Sequence, residues 1–259
     1  MFNKFKEHAS RAAEGATSFG QEAGKRMSTM AEQSGVNKVS VNSPIIGSLS
    51  EESAKASRIL EQFINKEEIE HGFDSIIPVS VIKKAKGLVI FTVVKAGFLW
   101  SGRAGSGLLV ARLPDGQWSA PSAIATGGVG FGAQVGADIT DVVLILNTDD
   151  AVKAFAKGGN VTIGGNLAVS AGPIGAGGEA AVATASGREV APIFSYTKSK
   201  GLFAGMSIEG TVLLELSKVN TKFYGKPIKA SELIHTAPPN QEAAPLYAMI
   251  KRAEDRDPY

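Results

Sequence analysis

Glycine is the feature that most restricts how this chain can fold. Of its 30 glycines, 22 lie between Gly97 and Gly210, scattered among β-branched and aromatic residues. Glycine inside a strand marks a bulge, a sharp bend or a close approach of backbones. So many interruptions predict strongly curved antiparallel strands, arranged as a barrel or half-barrel. The strands themselves are legible between the glycines. Leu88–Val94 reads as a buried strand by length and β-branching. Leu108–Leu113 reads as another, closed by the turn residues Pro114, Asp115 and Gly116. Val142–Leu146 is a third, Val161, Ile163, Leu167 and Val169 alternate as on a half-buried strand, and Pro192–Thr197 follows. Met206, Ile208, Val212, Leu214 and Leu216 share one parity, against Ser207, Glu209, Thr211 and Glu215 on the other, the pattern of a half-exposed strand.

Helices flank this region at both ends. Ser50 is a suitable N-cap, Glu51 and Glu52 suit a first turn, and Ala56, Ile59, Leu60, Phe63 and Ile64 recur at helical spacing. A short helix is expected over Ser80–Lys86, after Pro78 and stopped by Gly87. Thr148 caps another through Asp149, Asp150, Val152 and Phe155, and two more are expected near Ala230–His235 and Ala243–Arg252. The order predicts an α+β fold: a strongly curved, glycine-rich antiparallel sheet with helices at both ends. Residues 49–259 are expected to form this domain and residues 1–48 a tail. Within that tail Phe2, Phe5, Ala9, Ala12, Ala16, Phe19, Ala23, Met27 and Met30 recur at spacings of three and four. The stripe reads either as a mobile tail of marginal helicity or as an amphipathic helix formed on a membrane, with Phe2, Phe5 and Phe19 inserting.

Composition excludes several function classes. Lys plus Arg is 27 and Asp plus Glu is 25, a net charge of +2, which argues against a generally cationic nucleic-acid binder. There is no cysteine, hence no disulfide scaffold, thiolate metal site or cysteine nucleophile. No apolar run approaches the ~20 residues a spanning helix needs, and the N-terminus lacks a secretory signal core. A soluble, cytoplasmic chain with peripheral membrane contact is expected.

The glycine clusters do not spell a nucleotide site. Gly102-Arg103-Ala104-Gly105-Ser106-Gly107 is not G-x-G-x-x-G, and no Walker-type G-x-x-x-x-G-K-[ST] occurs. There is no nucleophile elbow, and His71 and His235 lie in no recognisable catalytic setting. Asp138, Asp141, Asp149 and Asp150 lack EF-hand spacing and read as structural. No cofactor, metal or catalytic residue is expected. Cations are segregated instead. Lys95, Arg103 and Arg112 lie between Leu88 and Leu113 without an acid, Lys83, Lys84 and Lys86 cluster before the first strand, and Lys198 and Lys200 share one strand parity. Arg103 sits in a glycine- and serine-rich stretch that reads as a turn, where backbone N–H groups could join its guanidinium around a phosphate. Lys83, Lys84, Lys86, Lys95, Arg103, Lys198 and Lys200 are therefore the candidate anionic-lipid contacts.

The stretch Ala85–Gly107, AKGLVIFTVVKAGFLWSGRAGSG, resembles the signature of the SYLF domain. So do Trp118–Ser122, Tyr196–Gly205, Gly164–Leu167 and Phe223–Gly225, so that the resemblance covers about residues 50–250. It implies a non-enzymatic module associated with membrane lipids, especially phosphoinositides, and in fungi with filamentous actin at endocytic sites. Many members also carry a Src-homology-3 domain for proline-rich partners; this chain is expected to be a form without one. The resemblance implies a peripheral location at the plasma membrane or endosome, or at cortical actin patches. Three readings stand: a peripheral lipid-binding module of the actin machinery, a direct actin-filament binder or bundler with incidental lipid contact, and a small-ligand binder or hydrolase using a pocket in the curved sheet.

Overall fold

The structure is a computed structural model that describes residues 42–65, 76–157, 161–163, 170–171, 193–237 and 243–257. The apolar stripe with Phe2, Phe5 and Phe19 lies outside the described residues, as does His71.

Three very long strands dominate: β1 (Gly87–Ala111, 25 residues), β2 (Ser122–Leu146, 25 residues) and β5 (Ile193–Glu215, 23 residues). Strands in globular proteins usually run about 3–10 residues. Two short strands, β3 (Val161–Ile163) and β4 (Ser170–Ala171), also border β5. The order is β1-β2-β5-β3, antiparallel throughout, with β4 set parallel to β5. The sheet is α+β in context and open, so of the two expected forms the closed barrel is not made. The register runs from β1 to β5 and, among the described residues, ends on three residues of β3 and two of β4.

Strands this long stay compact because the ribbon doubles back. At the middle of β1, Leu99 takes a positive φ of 58° and the register with β2 shifts between Phe98 and Trp100. Leu99 alone spans the gap on β1, where β2 uses Gly132, Ala133 and Gln134, so β2 follows the longer outer path. The two halves of β1 then lie against each other. A Cβ on Gly105 would meet the Thr92 carbonyl oxygen and the Val93 Cα, and one on Gly107 the Ile90 carbonyl oxygen and the Phe91 backbone. The Arg112 N–H donates to the Lys86 carbonyl at 2.8 Å and closes the doubled strand at its base. Glycine is required here for close approach of backbones. The expected strands Leu88–Val94 and Leu108–Leu113 are thus the two arms of one strand.

Among the described residues six helices cover the base of the ribbon: α1 (Leu49–Gln62), α2 (Val79–Lys84), α3 (Asp149–Ala156), α4 (Ser217–Tyr224), α5 (Ala230–Leu233) and α6 (Ala244–Asp255). The α1 cap is Ser48 and not Ser50. Glu51 stands three residues after Ser48, so the Glu51 N–H reaches Ser48 Oγ (3.3 Å) while the Ser48 N–H donates to Glu51 Oε2 (2.6 Å), a capping box. Gly87 does not stop α2; the chain turns extended at Ala85 (ψ 135°), and Gly87 opens β1. Thr148 caps α3 as expected. Helix α4, which was not expected, ends at Gly225 with φ 70°.

The base is buried on both faces. Leu88, Ile90, Leu108 and Val110 pack with Ile59, Leu60 and Phe63 of α1 and with Leu246 and Ile250 of α6. Val89, Phe91, Leu109 and Ala111, of opposite parity, pack with Val152 and Phe155 of α3 and with Ala230 of α5. Two covered faces explain why these arms read as continuous apolar runs. In the half-exposed pattern read at the end of β5, Leu213 is the buried residue and Leu214 is half-buried, because the second core lies on the Leu213 face.

Candidate functional site

Several buried polar side chains hold the fold together. Lys55 and Glu52 of α1 form an ion pair at 2.6 Å, both almost fully buried. Lys55 Nζ also donates to Ser106 Oγ (2.8 Å) and to the Ser43 carbonyl (3.0 Å), and Ser106 Oγ donates to Glu52 Oε1 (2.8 Å). The cluster pins α1 and the segment before it to β1. Burial pushes the Lys55 ammonium below its ordinary pKa, and the Glu52 carboxylate opposes that shift. Asp141 of β2 is buried and accepts hydrogen bonds from Thr92 Oγ1 (2.6 Å) and Asn42 Nδ2 (2.8 Å). Arg112 satisfies carbonyls left over at the end of α2: its Nε donates to the Ala85 carbonyl (2.9 Å) and its Nη2 to that of Ile82 (3.0 Å). It also pairs with Glu254 of α6 (2.6 Å) and stacks 4.3 Å over the Trp118 ring.

The acidic residues do not converge. Asp138 accepts from Thr140 Oγ1, Asp149 and Asp150 fill the first turn of α3, and among the described residues no three metal-ligating side chains gather. His235 is exposed just beyond α5.

The reversal of the ribbon is chemically different. Lys95 and Arg103, eight residues apart, are brought together as β1 doubles back. Burial depresses the pKa of Lys95, and the Arg103 charge depresses it further, against the pull of Asp138. Burial depresses that of Arg103 too. Arg103 lies in strand β1 opposite Gly128, not in a turn. The backbone around it is built into the ladder with β2, which corrects the expected phosphate-cradling turn. Lys198 stands opposite Asp141 and Lys200 opposite Ile139 in the register of β5 with β2. Lys83, Lys84 and Lys86 are exposed but sit at the base, nine residues and roughly 30 Å of strand from Lys95. The candidate cations therefore lie at three levels: Lys83, Lys84 and Lys86 at the base, Lys198 and Lys200 level with Thr92 and Val94 midway along the arm, and Lys95 with Arg103 toward the reversal.

Beyond Lys95 and Arg103, large apolar side chains face solvent. Phe98 is 70% exposed, Leu99 49%, Trp100 67%, Val129 70% and Phe131 57%. The Trp100 and Phe131 rings meet at a tilt of 52° with centroids 4.6 Å apart. Sequence reading missed this tip, because Phe98-Leu99-Trp100 continues the apolar run of a core strand. The available signal was its frame: three large apolar residues set between Gly97 and Ser101-Gly102, with a cation three residues to either side.

Fold and site together define an α+β module on a doubled three-stranded ribbon, several of its buried polar side chains committed to structure, its reversal cationic and apolar. Residues 127–253 match the family described as "Ysc84: Las17-binding protein actin regulator". The chain is 54% identical over 194 residues to LAS seventeen-binding protein 3 of Saccharomyces cerevisiae, an alignment covering 75% of this chain and 42% of that protein. It is 50% identical over 211 residues to SH3 domain-containing protein PJ696.02 of Schizosaccharomyces pombe, covering 81% and 49%. To SH3 domain-containing YSC84-like protein 1 of Homo sapiens it is 49% identical over 211 residues, covering 81% and 60%. The chain thus spans half or less of the yeast relatives it matches. It belongs to the Ysc84, or SYLF-domain, family, which agrees with the resemblance read from Ala85–Gly107.

Proposed function

We propose that this chain is a non-enzymatic module of actin regulation that docks peripherally on membranes rich in anionic lipid, phosphoinositides included. One observation carries the lipid part. Strand β1 brings Lys95 and Arg103 together at its reversal and holds no Asp or Glu from Gly87 to Ala111, while the neighbouring strands place Asp138 opposite Lys95 and Glu209 opposite Gly130. On a chain of net charge +2 the charges of this one strand are all positive, and each cation near an anionic surface contributes about 1 kcal/mol. Burial depresses the pKa values of both Lys95 and Arg103, with the Arg103 charge adding to the effect on Lys95, and an approaching anion would favour their charged forms. The actin part is supported by the words "actin regulator" in the family's description. Among the described residues no helix is long and apolar enough to cross a membrane, which fits peripheral attachment.

Co-sedimentation of the purified chain tests both parts. Pelleting is expected with vesicles containing phosphatidylserine or a phosphoinositide, and not with phosphatidylcholine alone. A lack of preference for the anionic vesicles would refute the lipid reading. Pelleting with actin filaments in the absence of lipid would support direct filament binding, and its absence would leave actin regulation to partners.

A further inference from the structure

Resting on the anionic-docking reading above, we infer that the apolar tip of the ribbon, Phe98, Leu99 and Trp100 with Val129 and Phe131, inserts into the headgroup–acyl boundary of an anionic bilayer. Four observations carry this. The tip gathers five large apolar side chains between about half and three-quarters exposed, two of them aromatic rings in tilted contact. A contiguous exposed apolar patch on an otherwise well-packed domain marks an interaction surface. Next, β1 sets a cation at matching distance on each arm, Arg103 opposite Gly128 and Lys95 opposite Asp138. Lys95 lies three residues before Phe98 and Arg103 three residues after Trp100, about 10 Å of strand on each arm. Interfacial insertion is ~5–10 Å deep, so a tip at the acyl boundary places both cations at the level of the phosphates.

The backbone of the tip also suits entry into a region poor in water. Phe98 pairs with Val135 and Trp100 with Phe131, so the ladder with β2 runs up to the apex on both sides of Leu99 and pairs backbone groups there. Finally, Leu99 holds a left-handed backbone, φ 58°, which is uncommon for a bulky residue and persists where surrounding structure enforces it. The strain sits at the apex and keeps apolar side chains outward. A bilayer is the occupant of matching chemistry: an anionic layer for Lys95 and Arg103, with hydrocarbon beneath it for the tip.

The test uses the full chain with vesicles of phosphatidylserine and phosphatidylcholine, part of the latter brominated near the headgroup end of its acyl chains. Trp100 and Trp118 are the two tryptophans, and Trp118 is buried. Binding is expected to blue-shift the emission and to quench it, and Trp100→Phe is expected to abolish the quenching. Phe98→Ser with Phe131→Ser is expected to weaken binding about tenfold or more, with unchanged circular dichroism and melting in buffer. Binding to anionic vesicles without quenching of Trp100 would overturn the insertion while leaving anionic docking in place. Failure to bind anionic vesicles at all would overturn both. A dimer in solution that Phe98→Ser with Phe131→Ser dissolves would overturn the insertion in favour of a second copy covering the tip.

Discussion

Lys55 and Glu52 illustrate how far single residues can be read before the fold is known. In sequence they are two charges in an amphipathic helix, Glu52 suited to its first turn and Lys55 unremarkable. In the fold both are buried, and what buries them is Ser106, some fifty residues away on the returning arm of β1. Removing one partner strands a charge in the interior. Lys55→Met is expected to cost about 3–5 kcal/mol, and Lys55→Met combined with Glu52→Gln much less, since the second change removes the orphaned carboxylate. Urea denaturation of the two variants checks the ordering, and equal losses would show that packing rather than charge decides. The pH dependence has a definite sign. The folded pKa of Lys55 is below its ordinary 10.5, so over that interval the unfolded chain binds the proton more readily and stability from this group rises with pH. The gap between wild type and Lys55→Met should therefore widen as pH climbs toward 10.5. Lys95 and Arg103 show the same limit of residue-level reading. Each was identifiable as a candidate, but their juxtaposition depends on a chain reversal that neither residue reveals.

At the scale of elements, legibility follows the local character of the forces. Helix ends are set by hydrogen bonds within four residues, so α3 was read with its Thr148 cap, and α1 was misplaced by two residues only because two serines stood near its start. The long strands are set by partners far away in sequence. Glycines that depress every strand signal between Gly97 and Gly107, and between Gly127 and Gly136, are tolerated because the ladder pairs them across full-length neighbours. The arms of β1 are legible, whereas its middle, around Arg103, reads as a glycine- and serine-rich turn. Gly107→Ala tests the doubling directly. The added methyl would meet the Ile90 carbonyl and the Phe91 backbone, and overpacking of this kind costs about 1–3 kcal/mol, more where backbone must shift. Gly116→Ala, in the turn after β1 with φ 86° and open space around it, should cost only the backbone term of about 1 kcal/mol. Thermal melts compare the two; equal shifts would mean that the arms of β1 do not rely on contact at Gly107.

For the whole molecule, the doubled ribbon has two unlike ends. Helices on both faces bury its base, while the described helices leave the reversal uncovered. Charge segregation was visible in the sequence, but not that Lys83, Lys84 and Lys86 belong to the base while Lys95 and Arg103 belong to the reversal. A rigid body presenting one end to a flat surface cannot use both groups equally, since they are separated by far more than the Debye length of ~8 Å at physiological salt. The most direct measurement is the equilibrium affinity for phosphatidylserine-containing vesicles across a series of salt concentrations. It is made on the wild type, on Lys95→Glu with Arg103→Glu, and on Lys83→Glu with Lys84→Glu and Lys86→Glu. Reversing the two cations at the tip is expected to lower affinity at least tenfold and to flatten the salt dependence, at about 1 kcal/mol for each charge lost near the surface. Reversing the three at the base is expected to change it by less than about threefold, through long-range repulsion alone. A base variant that binds as poorly as the tip variant, or a tip variant that binds like the wild type, would contradict the assignment of the reversal as the membrane-facing end.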